Sequence, residues 1–487
     1  MNRKTSIFII LILSLSFAIG ICETSYSYTA ESAADWPGIR MESKPWTFWW
    51  WMGSAVEKDE ITRLLETYSR AGLGGVHIIP IYGAIGWEKN YLKFLSPEWM
   101  EALKHTESEA KRLSMGVDMT TGTGWPFGGP QIRPETASSK FDVEIFNLKS
   151  GERIGKSLDA KGLQAVIVYS DSGEVDDITS RLEESGAINW EAPAGNWKVY
   201  AAYMRGTGQK VKRAAPGGEG LVMDHFSETA LNSCLSPFDK AFEASGAPPV
   251  RAFYNDSYEV YGANWTADFL SEFQKRRGYD LRLHFPALMG EGGAEYAGRV
   301  KCDYRETLSD LLLERFAMPW TLWSHKRGSI TRYQAHGSPG NLLDLYASAD
   351  IPETEAFGPS GFNIPGLPVR KGIPQHFGKP DVLMMKFASS ASHTAGKQLT
   401  SSESCTWLGE HFTVSLSQVK PEMDQLFVSG INHVIFHGTA YSPSTAKWPG
   451  WLFYASVNFG PTNTFYRDFP QLTTYISRVQ SFLQSGR

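Results

Sequence analysis

Uninterrupted apolar runs that alternate with helix-forming segments constrain the fold of this chain more than any other feature of its sequence. Residues 46–53, 75–81 and 116–120 are such runs and are predicted strands, while 56–70 and 96–112 are predicted helices between them. The runs are apolar throughout instead of alternating with polar residues, which is typical of a parallel sheet that helices cover. The first part of the chain therefore predicts an α/β fold.

The same rhythm continues until eight strands can be placed. Further strands are predicted at 252–254, 330–337, 349–355, 398–404 and 431–438. Helices are predicted at 224–244, 265–278, 302–327, 379–396, 421–429 and 463–483. Eight strands in this order predict a (β/α)8 TIM-type barrel, which needs about 250 residues and leaves room for insertions.

Residues 135–220 interrupt the rhythm. Three short runs of strand-forming residues lie here between turns rich in Gly, Ser, Asn and Asp, which predicts a small β-rich insertion after the third strand. The predicted organisation is therefore a signal peptide at 1–22, a first part of the barrel at 23–134, the insertion at 135–220 and the remainder of the barrel at 221–487.

The N-terminus has the composition of an export signal. Arg3 and Lys4 precede an apolar run at 7–21, and Cys22 follows this run. The run is shorter than the roughly 18–20 residues of a transmembrane helix. We expect an exported protein that is periplasmic, extracellular or outer-membrane associated in a bacterium, and that touches a membrane only if Cys22 is lipidated. The four cysteines show no spacing typical of a zinc site or a disulfide framework.

Charge and aromatic content narrow the class of ligand. The net charge is −5 and no dense run of Lys and Arg occurs, so the chain lacks the basic patch of a nucleic-acid-binding protein. Aromatic residues make up 13% of the chain, including 16 Trp. Such rings can serve as flat platforms for sugars, or they can fill a tryptophan-rich core; composition alone leaves both interpretations open.

Acidic residues cluster at the predicted strand ends, where a βα-barrel builds its active site. They are Asp118, Asp256, Glu259, Glu353, Glu355 and Glu403. Two acids across a cleft suit glycoside hydrolysis, in which one protonates the leaving oxygen and the other activates water or attacks the anomeric carbon. The fourth and seventh strands face each other across a barrel mouth, so Glu259 and Glu403 are the predicted catalytic pair.

The remaining candidates have supporting roles. Asp256 can orient Glu259, bind a sugar hydroxyl or ligate a cation, and Asp118 is expected to be structural. Glu353 and Glu355 are expected to point to opposite faces of an extended strand, so only one of them is expected to face the cleft, and we choose Glu355.

Predicted substrate contacts from other residue types are His336, His437 and Trp125, whereas His77 in the middle of a strand is expected to be a core residue. Trp49, Trp50 and Trp407 are further candidates for sugar platforms, each as compatible with the core.

Other chemistries lack their motifs. The sequence contains no H-E-x-x-H, no P-loop, no G-x-G-x-x-G that opens a helix and no G-x-S-x-G nucleophile elbow. No organic cofactor is therefore expected. The acidic mouth can hold Ca²⁺ through oxygen ligands, although no EF-hand-like loop specifies it.

Seven segments together resemble the α-L-rhamnosidase family of glycoside hydrolases, numbered 106. They are FWWWMGSAVEKDEI, AGLGGVHIIPIYG, TGTGWPFGGP, FYNDSYEV, QAHGSPGNLLDLYASADIPETEAFG, TSSESCTWLGEHF and INHVIFHGTAYSP. The resemblance implies a barrel with a carbohydrate active site, an inverting mechanism, plant pectic or other rhamnose-containing glycans as substrates, and a cation, Ca²⁺, near the bound sugar.

The resemblance also implies roles for individual residues. Asp256 and Glu259 match the D-x-x-E pair of the family, with Glu259 as general acid. Glu403 matches the glutamate of the seventh strand and is the implied general base, and Glu355 is an implied contact to substrate or cation.

We therefore predict a glycoside hydrolase that removes terminal α-L-rhamnose from an oligosaccharide or polysaccharide. Two alternatives stay open at this point. One is another exo-glycosidase on the same barrel, because specificity is a property of the site and not of the fold. The other is a truncated, non-catalytic glycan-binding protein, because members of the family usually continue into β-rich domains beyond the length of this chain.

Overall fold

The computed structural model describes residues 36–359 and 380–486. The predicted signal peptide, with Cys22, lies outside the described residues, and export stays a prediction. No helix in the described part of the chain is long and apolar enough to cross a membrane.

The described residues form fourteen strands. These are β1 (Trp46–Met52), β2 (Gly75–Ile81), β3 (Gly116–Thr120), β4 (Gly128–Gly129), β5 (Ser139–Lys149), β6 (Leu163–Ser170), β7 (Val175–Asp177), β8 (Asn196–Gly206), β9 (Leu221–Val222), β10 (Ala252–Asn255), β11 (Ile330–Tyr333), β12 (Ile351–Phe357), β13 (Ser401–Thr406) and β14 (His433–Ala440). Eight of them close into a parallel barrel in the order β1, β2, β3, β10, β11, β12, β13, β14. The predicted (β/α)8 barrel is confirmed.

The helices follow the strands along the chain. They are α1 (Lys58–Arg70), α2 (Pro97–Arg112), α3 (Glu228–Ser245), α4 (Phe269–Arg277), α5 (Phe285–Leu288), α6 (Ala294–Leu312), α7 (Met318–Lys326), α8 (Leu342–Ser348), α9 (Val382–Thr394), α10 (Leu416–Val428) and α11 (Phe469–Ser485). Helix α2 begins where the sequence predicts, because the Ser96 hydroxyl accepts a hydrogen bond from the Trp99 amide and Pro97 takes the first helical position.

Several predicted boundaries were wrong by three or more residues, including the following two. The helix predicted at 302–327 begins earlier, at Ala294, and a π-helical turn at Leu313–Ala317 joins α6 to α7. The strand predicted at 398–404 is β13, which begins only at Ser401 and runs to Thr406. A polar serine-rich run carries no apolar pattern from which its ends could be located.

Strand β1 shows why the barrel strands are apolar on both faces. Trp46, Phe48 and Trp50 point into the barrel, whereas Trp49 and Trp51 pack outward against helices. All five are at most 3% exposed. Successive side chains of a strand point to opposite faces, so a strand between a filled barrel and a helical layer buries every residue.

A four-stranded antiparallel sheet lies within the segment predicted as an insertion. Its order is β5, β8, β6, β7, and one face buries an apolar cluster of its own that includes Val166, Val168 and Val199. A separate two-stranded pair, β4 with β9, brings the chain back toward the barrel. The domain boundaries drawn from the sequence stay predictions.

A buried ionic network fills the lower part of the barrel. The Arg332 guanidinium donates to Glu353 Oε2, and its Nε lies 3.3 Å from Asp118 Oδ2. A second arginine, Arg251, donates to both oxygens of Asp118 at 2.8 and 2.6 Å. His77 Nδ1 accepts from Arg332 at 2.6 Å, and burial together with the two guanidinium charges holds the pKa of His77 well below its usual value. His77 is thus a neutral histidine of the barrel interior.

We expect Arg332→Met to destabilise the protein strongly. The side chain of Arg332 is fully buried, and its removal leaves Glu353 and Asp118 without a shared cation. Breaking a buried ion pair from one side costs about 3–5 kcal/mol of unfolding free energy. Urea unfolding followed by circular dichroism measures this cost.

Arg299→Met is the matched control, since Arg299 forms an exposed helical ion pair with Glu295 that is worth roughly 0.5 kcal/mol or less. An Arg332→Met protein as stable as the Arg299→Met protein would contradict the assignment.

Candidate active site

Two glutamates face each other at the upper end of neighbouring barrel strands. Glu355 on β12 and Glu403 on β13 are directly paired in the parallel register. The register then shifts, because Cys405 adopts a left-handed φ of 73° and is the extra residue of a bulge. Beyond the bulge, the Thr406 hydroxyl donates to Glu403 Oε1 at 2.7 Å.

Burial and mutual repulsion make both acids hard to ionise. The side chains of Glu355 and Glu403 are only 18% and 7% exposed. Burial, followed by the charge of Glu355, raises the pKa of Glu403 well above its usual value. Burial, followed by the charge of Glu259, raises the pKa of Glu355 to about 7. Two carboxyl groups in one low-dielectric site cannot both ionise readily, so the pair retains a proton near neutral pH.

Neutral donors fix the orientation of Glu403. The Gln334 amide donates to Glu403 Oε2 at 2.9 Å, and the same amide nitrogen donates to Glu353 Oε1 at 3.1 Å. With Thr406 on Oε1, both oxygens of Glu403 accept hydrogen bonds.

Both predicted histidines lie beside this pair. His437 Nδ1 donates to the Ser456 carbonyl at 3.2 Å, which directs Nε2 to within 3.7 Å of Glu403 Oε1. His336 Nδ1 lies 3.0 Å from the Tyr346 hydroxyl, and its Nε2 is 3.4 Å from Glu355 Oε2. Burial lowers the pKa of His437 to about 3 and that of His336 to about 4. Both are therefore neutral and bring no cation to the acids.

Glu259 lies in a different environment from the buried pair. Its Oε2 accepts from Trp125 Nε1 at 3.2 Å, from the Tyr261 hydroxyl at 3.1 Å and from the Lys212 ammonium. Burial opposes the charge of Lys212, but the hydrogen bonds to Glu259 and Tyr261 outweigh it and raise the pKa of Lys212. Oε1 of Glu259 accepts no hydrogen bond from residues 36–359 or 380–486, so this oxygen is available to a ligand.

Lys212 reaches Glu259 because the end of the insertion is fixed to the loop after β3. Lys212 and Trp125 form an antiparallel bridge, with backbone hydrogen bonds of 2.7 and 3.2 Å. Gly124 permits this approach, since a Cβ atom there would lie 1.8 Å from the Lys212 carbonyl oxygen. The insertion thus supplies a charged group to the mouth of the barrel.

Asp256 adds a third acid next to the pair. It follows β10 directly, and its Oδ1 accepts from the Ser257 amide at 2.7 Å. Burial, followed by the charges of Glu403 and Glu355, raises the pKa of Asp256 well above its usual value. The structure therefore brings the seven predicted site residues to one end of the barrel: Asp256, Glu259, Glu355, Glu403, His336, His437 and Trp125.

The expectation that Glu353 and Glu355 lie on opposite faces was wrong. Residues two apart on a strand share a face, and both side chains point into the barrel. They differ in depth instead: Glu353 is bound by Arg332 and Ser401 in the lower layer, while Glu355 lies in the upper one. The choice of Glu355 as the acid of the cleft stays a prediction.

Three residues of the site were not identified from the sequence. Thr406 stands in the polar run that already pointed to Glu403, so its position in TSSESCT was a usable signal. Gln334 precedes His336 by two residues and could have been placed on the same face by strand periodicity. The position of Lys212 could not be predicted from the sequence, because the residue reaches the barrel mouth from an insertion that lacks the strand–helix periodicity of the barrel.

The tryptophans differ in what they can offer to a sugar. Trp49 is fully buried in the outer core. Trp50 stacks on Phe453 with a ring separation of 4.1 Å and lies inside the barrel, 4.6 Å from His437. Trp125 and Trp407 are half-buried at the strand ends, where a ring edge can meet a ligand.

The predicted calcium ion would need several oxygen ligands close together. In the described ranges, no group of three or more His, Cys, Asp or Glu side chains is arranged to hold a metal ion. No step below uses the cation, and the calcium site stays a prediction.

Comparison with known proteins identifies what the chain is similar to. Residues 39–166 and 164–487 match the family described as alpha-L-rhamnosidase, glycoside hydrolase family 106. A protein of Formosa agariphila, provisionally named a beta-glucuronidase, is 27% identical over 92% of this chain.

The solved structure of a rhamnosidase from Novosphingobium sp. PP1Y superposes on 92% of this chain with a TM-score of 0.78 at 20% identity. The chain spans 41% of the length of the Formosa protein and 60% of that structure.

We expect Glu355→Gln to stabilise the protein at alkaline pH. A carboxyl whose pKa rises from 4.5 to about 7 on folding favours the fold below pH 4.5 and loses that stability as the pH rises through 7. Glutamine cannot ionise, so the variant should gain roughly 1–3 kcal/mol over the wild type at pH 8. Thermal unfolding between pH 4.5 and 8.5 measures the difference, which should shrink toward pH 4.5.

The control for this prediction is Glu295→Gln at an exposed position. It should show no gain that depends on pH. Equal stability of wild type and Glu355→Gln at pH 8 would show that Glu355 ionises without cost.

Proposed function

The chain belongs to the α-L-rhamnosidase family of glycoside hydrolases, and from this membership and the arrangement of its acids we propose that it removes terminal α-L-rhamnosyl units with inversion. Hydrolysis of a glycosidic bond in a carbohydrate substrate is the activity that this membership supports. The observation that carries the finer proposal is the contrast between Glu259 and Glu403. Among the described residues, one oxygen of Glu259 accepts no hydrogen bond, whereas both oxygens of Glu403 are buried and accept from neutral donors.

Glu259 is the proposed general acid. Three donors hold Oε2, so the proton that the leaving oxygen receives must sit on Oε1. Holding one oxygen fixes the direction of the other, which is what proton donation to a glycosidic oxygen requires. Trp125 takes part in this hold and also borders the mouth as a substrate contact.

Glu403 is the proposed general base. Gln334 and Thr406 donate to its two oxygens, and these hydrogen bonds favour its ionised form against burial and the charge of Glu355, which raise its pKa. Low dielectric around Glu403 makes its carboxylate a stronger base than one in water. Water on the face of the sugar opposite Glu259 gives its proton to Glu403 and attacks the anomeric carbon.

The neighbouring groups are the proposed substrate contacts. His437 and His336 are neutral, so they can donate to or accept from sugar hydroxyls without competing with the acids for charge. Asp256 and Glu355 flank the same space and are proposed to accept hydrogen bonds from hydroxyls.

The name of the Formosa protein supports a second candidate. A beta-glucuronidase would use the same two-carboxylate chemistry on a different sugar, because specificity lies in the contacts and not in the barrel. The chain must therefore be tested on both sugars.

We expect the purified chain to release nitrophenol from para-nitrophenyl α-L-rhamnoside and not from the β-D-glucuronide. Glu259→Gln and Glu403→Gln should each lower kcat/KM by roughly 10²–10⁴, the usual contribution of a general acid or base. Proton NMR during turnover should show β-rhamnose as the first product, as inversion requires.

If the chain released nitrophenol from the glucuronide and not from the rhamnoside, glucuronic acid would replace rhamnose as the proposed terminal sugar. Binding of rhamnose by a folded wild type without turnover would identify a glycan-binding protein instead. Appearance of α-rhamnose first would overturn the inverting assignment.

We expect Lys212→Met to slow the hydrolysis of substrates with poor leaving groups more than that of substrates with good leaving groups. Lys212 positions the acid through Oε2, and a misplaced donor matters only where the leaving oxygen needs its proton. The kcat/KM for methyl α-L-rhamnoside should fall by roughly tenfold to a hundredfold, and that for the nitrophenyl glycoside by much less.

Lys210→Met, at an exposed position of the same segment, is the control and should leave both values unchanged. An equal loss of kcat/KM on both substrates in Lys212→Met would assign Lys212 to folding of the segment.

A further inference from the structure

Arg213 presents a second cation at the mouth of the barrel, next to Lys212 in the chain. Its guanidinium carbon lies 4.1 Å from the ring centre of Tyr454 and 6.0 Å from that of Tyr82. The side chain is exposed, in contrast to the arginines of the lower barrel. Within residues 36–359 and 380–486, Lys212 is paired with a carboxylate whereas Arg213 forms no salt bridge.

The fold fixes the position of Arg213. Its backbone has a left-handed φ of 58°, which non-glycine residues rarely adopt. The Arg213 carbonyl accepts from the Tyr82 amide at 3.0 Å, and the Tyr454 amide donates to the Tyr82 hydroxyl at 3.3 Å. The guanidinium is thus held against the surface formed by Tyr82 and Tyr454, which are themselves joined by a hydrogen bond.

That surface continues into the active site. Tyr82 stacks above Phe453 at 6.4 Å, and Phe453 stacks on Trp50 at 4.1 Å. Phe453 also lies 5.6 Å from the ring of His437, whose Nε2 approaches Glu403. Arg213 therefore stands at the outer end of an aromatic row that begins beside the proposed base.

We propose that Arg213 binds the carboxylate of a uronic acid in the glycan, so that the natural substrate carries terminal α-L-rhamnose on an acidic sugar. This inference rests on the proposed function. A guanidinium presents a planar fork of donors that matches the two oxygens of a carboxylate. Tyr454 and Tyr82 occupy its face, which leaves its edge for such a group.

A purely structural role for Arg213 makes different predictions. If the guanidinium serves only to hold the insertion against Tyr454 and Tyr82, its loss should disturb the mouth for every substrate alike. If it binds a carboxylate, its loss should affect acidic substrates through KM and leave neutral ones unchanged. The comparison of matched acidic and neutral substrates separates the two roles.

The experiment measures kcat and KM for α-L-rhamnosyl-D-glucuronic acid, its methyl ester and α-L-rhamnosyl-D-glucose. Arg213→Gln should raise KM for the acid by roughly tenfold to a hundredfold with little change in kcat, as for the loss of a charge-assisted hydrogen bond. KM for the ester and the glucose compound should not change. Arg213→Lys should recover part of the difference, and Arg305→Gln, at an exposed position of α6, is the control.

An equal effect on all three substrates, or no effect on the acid, would overturn the inference while leaving rhamnosidase activity established. If the wild type hydrolyses no rhamnoside, the proposed function fails separately. Calorimetric titration of the wild type with the same acid and ester then tests Arg213 alone. If the acid binds more tightly than the ester, and Arg213→Gln removes this difference, the assignment is supported. If acid and ester bind equally, the assignment is refuted.

Discussion

The chain buries several carboxylates inside one barrel, and the cation Arg332 is what makes this possible. In the lower layer Arg332 lies between Glu353 and Asp118, so those acids are neutralised where they are buried. In the upper layer, the described hydrogen-bonding partners of Glu403 are all uncharged. The contrast between the layers, more than burial itself, separates acids that hold the barrel together from acids that can exchange protons.

Gln334 joins the two layers. Its amide nitrogen donates to Glu353 below and to Glu403 above, so the orientation of the upper acid depends on the position of the lower one. Arg332 in turn fixes Glu353. A substitution in the lower ionic network should therefore change the orientation of Glu403 through the side chain of Gln334. The site is therefore supported from within the barrel and not only by its loops.

The sequence predicted the features that depend on periodicity and failed where contacts are long-range. Apolar runs located the eight strands, and the acids at their ends followed from barrel geometry. The same reasoning applied carefully would have placed Glu353 and Glu355 on one face. No local pattern could show that Lys212 and Arg213 reach the mouth, since that depends on how residues of the insertion return against Trp125.

The barrel and the insertion supply different residues of the site, and this separation bears on substrate specificity. Glu259 and Glu403 come from barrel strands and their loops, whereas the two cations at the mouth come from consecutive residues of the insertion. Lys212 contacts Glu259 and Arg213 faces outward, so under the two proposals a single segment positions the acid and binds the glycan. Substitutions at Arg213 can thus alter the choice of glycan without moving the acids, because Lys212 and its bridge to Trp125 hold the segment in place independently.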